Sequence, residues 1–293
     1  MNTPIRLGLM LFCLLDGCAR QPTVPPATAA AEAITTAARP PTSRMAAQWY
    51  EEAVGLERAR DWPGLESLAR DWTQAQPFNS SAWFSLGEGL SNQKQYARAV
   101  EAFQQSNRLV PTAATWYNLG HTYDDLGQTA KAIDAYQQAL RLDPRDVDTW
   151  SNLGKSYGEL GQNDKAIDAY QQALRLDPKN ATAWNNLSAA HGNLGQTAKA
   201  IDANQQALRL DPKNATAWYN LGVAYGQMGR TSDEIQAYEK ALRLNPNYAN
   251  AWNNLGVTYA QTGRREELAD IYDRLKRLDP AKAERFFNKV LMP

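Results

Sequence analysis

The sequence predicts an all-α fold, a solenoid of stacked helix-turn-helix units, and three observations carry that prediction. Tryptophans stand at Trp83, Trp116, Trp150, Trp184, Trp218 and Trp252, one step of 33 residues followed by four of 34. Prolines keep nearly the same spacing at Pro77, Pro111, Pro144, Pro178, Pro212, Pro246 and Pro280. Between them every unit carries two apolar stretches at helical spacing, the mark of a repeat whose members bury their faces against each other.

The unit Ala215 to Tyr248 shows each element in order. Its first helix carries Trp218, Leu221, Gly222 and Tyr225 on one side. A glycine follows in five units, at Gly127, Gly161, Gly195, Gly229 and Gly263, and suits the left-handed residue that ends a helix. The second helix carries Ile235, Tyr238, Ala241, Leu242 and Leu244. It closes on Arg-Leu-Asn-Pro, or Arg-Leu-Asp-Pro elsewhere, where proline cannot continue the hydrogen-bond ladder. Arg141, Arg175, Arg209 and Arg243 sit in the last turn, where a cation favours the helix dipole.

This pattern resembles the tetratricopeptide repeat family. The family's order of Trp, Leu-Gly, Tyr, Ala, aromatic, Ala and Pro recurs as Trp116, Leu119, Gly120, Tyr123, Ala132, Tyr136, Ala139 and Pro144. It recurs again as Trp150, Leu153, Gly154, Tyr157, Ala166, Tyr170, Ala173 and Pro178. The resemblance implies a right-handed α-solenoid, in which small residues let paired helices approach and aromatics fill the gaps between repeats. It divides the chain into six units at 80–112, 113–146, 147–180, 181–214, 215–248 and 249–282. Residues 45–79 read as a degenerate unit, with Leu65 where a small residue is usual. Residues 283–293, with Phe286, Phe287 and Val290, read as a capping helix over the last open face.

One unit departs from the others. In 181–214 the usual Gly is Ser188, the usual Tyr is His191 and the usual aromatic is Asn204. Either His191 and Asn204 hydrogen-bond each other, as buried polar groups generally must, or the unit is a weak link where the array bends or opens.

The first 17 residues have the parts of an export signal: Arg6 and the free amine, then the apolar stretch Leu7 to Leu15. That stretch is too short to span a bilayer. Leu15-Asp16-Gly17-Cys18 resembles a bacterial lipobox, with Asp16 departing from the small or apolar residue usual there. The resemblance implies cleavage before Cys18 and lipidation of its thiol. The alternative is an ordinary secretory signal cut further on. Residues 18–44, rich in Pro, Ala and Thr, cannot bury enough surface to offset their ordering entropy, and read as a tether. Ala19, in place of an aspartate after the lipidated cysteine, points by the same resemblance to an outer membrane facing the periplasm.

Composition narrows the chemistry. Formal net charge is +0 and no Lys/Arg-rich run occurs, so no nucleic-acid footprint is legible. The two cysteines, Cys13 and Cys18, both lie in the first 18 residues, and the histidines are His121 and His191 alone. No disulfide, metal site, cofactor or catalytic residue is expected in the body. Adjacent carboxylates such as Asp124-Asp125 and Glu266-Glu267 point in different directions on a helix.

The informative surface is the inner one. In the fold that the resemblance implies, the first helix of each unit lines a concave groove through its places 2, 5, 6, 9, 12 and 13. Place 6 is Asn118, Asn152, Asn186, Asn220 and Asn254, and place 5 adds Tyr117 and Tyr219. Amides offer donor and acceptor together, so this column suits the backbone of an extended peptide; asparagine there also belongs to the bare repeat pattern. Only Lys155 stands where the family's cationic clamp for chaperone C-termini would be. The expected protein is a non-enzymatic, lipid-anchored envelope scaffold that binds protein or peptide segments. A soluble exported chaperone and a substrate adaptor for an envelope enzyme are the other readings.

Overall fold

Short polar side chains start many of the helices. Asn79, Thr112, Asp146, Asn180 and Asn214 each accept a hydrogen bond from a backbone N–H of the following first turn, satisfying amides that no intrahelical carbonyl can reach. The computed structural model describes residues 43–292. The predicted signal 1–17, Cys18 and nearly all of the tether lie outside the described residues. Among the described residues every regular element is helical, and no helix is long and apolar enough to cross a membrane.

The chain divides into two compact units, one ending at Leu142 and the other beginning at Asp143. The first holds α1 (Ser43–Ala59), α2 (Trp62–Ala75), α3 (Ser80–Asn92), α4 (Tyr96–Leu109), α5 (Ala113–Asp125) and α6 (Thr129–Leu142). The second holds α7 (Val147–Glu159), α8 (Asn163–Leu176), α9 (Ala181–Asn193), α10 (Thr197–Leu210), α11 (Ala215–Gln227), α12 (Thr231–Leu244), α13 (Ala249–Gln261), α14 (Leu268–Leu278) and α15 (Pro280–Phe286). A π-helical turn, Phe287–Leu291, follows α15.

Two devices make most of the hairpins. The first is contact between a glycine and a ring: a Cβ on Gly120 would meet the ring of Tyr136 at 2.7 Å, and one on Gly154 would meet Tyr170 at 2.7 Å. Buried Ala132, Ala139, Ala166 and Ala173 on the partner helix complete the close approach. The second is the left-handed turn, with φ of +70° at Gly127, which costs a glycine no Cβ clash. The first two hairpins make the same turn without glycine, at Arg60 (φ 55°) and Lys94 (φ 62°).

A third device pins the loop ahead of five of the repeats. The indole N–H of Trp150 donates to the Pro144 carbonyl at 2.9 Å, and Trp83, Trp184, Trp218 and Trp252 do the same to Pro77, Pro178, Pro212 and Pro246. In all five the proline stands six residues before the tryptophan. Trp116 stands five after Pro111, and makes no such bond.

The hairpin of α1 and α2 exchanges its large and small positions. Ala69 stands where Phe103 stands in the next unit, and Trp72 where Ser106 does. Trp72 is 1% exposed and meets Trp49 edge to face at 5.9 Å, and Leu65 is fully buried beside it. The last hairpin departs too. α14 begins at Leu268 and buries Leu268, Ile271 and Leu275, leaving Tyr272 half-buried against Phe287 at 5.5 Å. The ring beside Gly256 belongs instead to Phe286 of α15, which a Cβ there would meet at 2.5 Å. The terminal helix therefore fills the core of the last hairpin, and it starts at Pro280, earlier than the boundary read from the sequence.

Candidate functional site

Within the second unit the place-6 asparagines lie on consecutive first helices: Asn152 on α7, Asn186 on α9, Asn220 on α11 and Asn254 on α13. All four are half-buried. Bonds to their neighbours orient Asn186, Asn220 and Asn254. The Asn220 amide N–H donates to Asn185 Oδ1 at 3.1 Å, one repeat earlier. Asn185 in turn lies 3.5 Å from Asn186 Oδ1, and Asn186 hydrogen-bonds the Tyr170 hydroxyl. Asn254 donates to the hydroxyls of Tyr219 (3.3 Å) and Tyr238 (3.4 Å) and receives from Asn253 at 3.1 Å.

The rule behind these bonds is simple. A place-6 amide turns back toward the second-helix tyrosine of the repeat before it, as Asn186 does to Tyr170 and Asn254 to Tyr238. Burial raises the pKa of the Tyr170, Tyr219 and Tyr238 hydroxyls, so they stay protonated. Tyr219 is half-buried, stacked on Tyr248 at 4.9 Å and beside Tyr238 at 5.9 Å. Sequence reasoning named the asparagines and Tyr219 but read Tyr170 and Tyr238 only as packing aromatics; the signal for their role was the shared 34-residue period.

The first unit breaks the rule. Asn118 is 2% exposed, and neither of its amide atoms has a partner. The equivalents of Tyr219 and Tyr238 there are Phe84 and Phe103, 5.9 Å apart, and a phenylalanine has no hydroxyl to offer. Tyr117, expected as an open aromatic platform, is 2% exposed and packs on Tyr136 at 6.0 Å. Asn118 and Tyr117 therefore present no open surface.

The expected bond between His191 and Asn204 does not form. His191 Nδ1 pairs with Gln196 Oε1 at 2.8 Å, while both amide atoms of Asn204 are buried without a partner. The side chain at His191's place folds over the residue five positions on. Tyr225 and Tyr259 do the same under the guanidinium groups of Arg230 (4.3 Å) and Arg264 (3.8 Å). Ser188 spends its hydroxyl on the Ala200 carbonyl at 2.8 Å.

Lys155, the one cation at a clamp-like place, pairs with Glu159 at 3.4 Å. Its neighbours at place 9 are Ala189, Val223 and Val257, so the face is neutral, amide-rich and partly apolar. Among the described residues no group of three or more His, Cys, Asp or Glu side chains could hold a metal ion.

The comparisons agree with this construction. The family described as the cilia and flagella-associated protein 70 C-terminal domain matches residues 126–287, and a tetratricopeptide repeat family matches residues 79–145. No curated protein matches the chain. Among solved structures, MamA is 32% identical over 57% of this chain and 97% of its own, with a TM-score of 0.51. YrrB, described as a TPR protein with an unusual peptide-binding site, is 22% identical over 62% of this chain and 95% of its own, at a TM-score of 0.56. Pseudomonas aeruginosa pilF is 18% identical over 72% of this chain and 97% of its own, at a TM-score of 0.61. With more than half its length matched by the first family, the chain belongs to the tetratricopeptide repeat proteins, whose arrays are scaffolds for binding other proteins.

Proposed function

We propose that the chain is a non-catalytic adaptor, tied to the cell envelope through lipid on Cys18, that holds an extended or helical peptide segment on the first-helix face of its second unit. The observation that carries this reading is the amide row of Asn186, Asn220 and Asn254. Each side chain is oriented by bonds to its neighbours and keeps further donor or acceptor capacity. An amide held in place in advance loses less freedom when a peptide backbone pairs with it. With no cation free of a counter-charge at the clamp-like place, the preferred segment is neutral and recognised through its backbone. The tether of residues 18–44 would let the array reach away from the membrane toward its partner, in aid of assembling an envelope complex.

Crosslinking pull-downs from native membranes test the groove. The variant Asn152→Ala with Asn186→Ala is expected to capture less of the partner while its melting temperature stays near that of the wild type. An unchanged partner set with a sharp drop in melting temperature would assign the asparagines to the fold alone. Metabolic labelling with palmitate tests the anchor: label should appear on the wild type and disappear in Cys18→Ser. An unlabelled, secreted wild type would favour the soluble chaperone reading.

A further inference from the structure

A cavity of about 490 Å³ opens in the first unit between α4, α5 and α6, with Asn107, Trp116, Leu119 and Tyr123 among its walls. The second unit has a counterpart of about 370 Å³ at the same repeat positions, between α12, α13 and α14. The replica fills the equivalent positions differently. Leu242, buried, stands at the place of Asn107. Trp252 gives its indole N–H to the Pro246 carbonyl at 2.8 Å, and the Arg274 guanidinium lies over its ring at 4.7 Å.

The first unit reverses each of these. Asn107 is 6% exposed, and both its amide atoms are buried without a partner; Leu140, Leu174, Leu208 and Leu242 hold the same place in the four units after it. An amide left in that state costs the full desolvation of its polar atoms. Trp116 makes no bond to Pro111, because the connection is one residue shorter. Gln138 stands where Arg274 covers the replica, so the Trp116 ring has no cation over it. Tyr123 is fixed at the opposite wall by Gln104, which donates to its hydroxyl at 2.8 Å, and by Lys131 over its ring at 5.5 Å.

From this geometry we infer that the first-unit cavity is a binding site for a small planar ring amide, a heterocycle carrying C=O and N–H on adjacent atoms. The two edge atoms match the donor and acceptor of Asn107. The side-chain amide turns on a soft torsion, so it can face the ligand. The ring lies among Trp116, Leu119 and Tyr123, where aromatic contact favours flat groups, and the volume is that of a small-molecule pocket. This site is independent of the groove on the second unit.

The test is titration of the full chain with uracil, whose ring holds C=O and N–H on adjacent atoms, read by calorimetry and by the Trp116 indole N–H resonance. Uracil should bind and move that resonance. Asn107→Leu, which installs the residue of the other repeats, should fold at least as stably and bind uracil about tenfold more weakly or worse, as expected for losing a paired hydrogen bond. N-acetylglutaminamide separates the sources of the chemistry: binding of this probe alone would mean that the pocket takes a side chain of a protein partner, and would overturn the proposal. Absence of uracil binding, or equal binding to wild type and Asn107→Leu, would overturn it as well.

Discussion

A Cβ placed on Gly222 would lie 2.6 Å from the ring of Tyr238. The two residues therefore form one contact, with the absent side chain of one making room for the ring of the other. Gly222→Ala is expected to destabilise the second unit by about 1–3 kcal/mol, the cost of overpacking a close-fitted core. Gly158, in α7, has nothing within 4 Å of a built Cβ. Gly158→Ala should instead add about 0.5–1 kcal/mol, since it only restricts the unfolded chain. Urea denaturation of both variants reads the contrast.

The unit 181–214 has lost both halves of that contact together. Ser188 replaces the glycine, and Asn204, buried and unpaired, replaces the ring. Ser188→Gly with Asn204→Tyr should rebuild the pair and raise the denaturation midpoint. Asn204→Tyr alone should lower it, because the serine occupies the space the ring needs. A double-mutant cycle is expected to show coupling of about 0.5–3 kcal/mol.

Lys94 sits in a left-handed turn at φ 62°, where later units place glycine. Its side chain is exposed, so nothing is lost by removing it. Lys94→Gly should stabilise the first unit by about 1 kcal/mol, the Cβ strain relieved less the added freedom of the unfolded chain. A fall in the urea midpoint would contradict this account of the turn.

Glu88 is 3% exposed, and its Oε2 has no partner. Burial, and then the neighbouring Glu57 carboxyl, push its pKa well above the usual carboxylate range. A carboxyl whose folded pKa is raised contributes most stability below its unfolded value near 4.5 and loses it as pH rises toward the folded value. Glu88→Gln, which keeps the shape without the titration, should therefore be more stable than the wild type at pH 7. The advantage should shrink to nothing below about pH 4, in thermal melts recorded across the range.

The period of 34 residues made most of this fold legible, because Trp, Gly, Tyr, Ala and Pro each mark a different contact and recur together. Where the marks change, legibility depended on what replaced them. Leu65, Ser188 and Asn204 were visible as misfits, but which group each would touch was not. His191 turned to Gln196, five residues on, a pairing set by the end of one helix and the start of the next. The last hairpin hid its filling, since Tyr272 keeps the repeat's place in sequence while Leu268 and Leu275 rotate α14 and leave the position to Phe286. The asparagine column could be read residue by residue, yet its wiring depends on tyrosines one repeat away. For the same reason the dead end at Asn118 is explained only by Phe84 and Phe103.

The tryptophan bonds to proline carbonyls have a practical consequence. Each of the five ties one loop to the repeat that follows it, and each carries a single indole proton with its own resonance. Opening at any one junction would be read by solvent exchange at that proton alone, without an added label. Trp116, lacking the bond, is the built-in control: its proton should exchange fastest of the six in the chain's unliganded state.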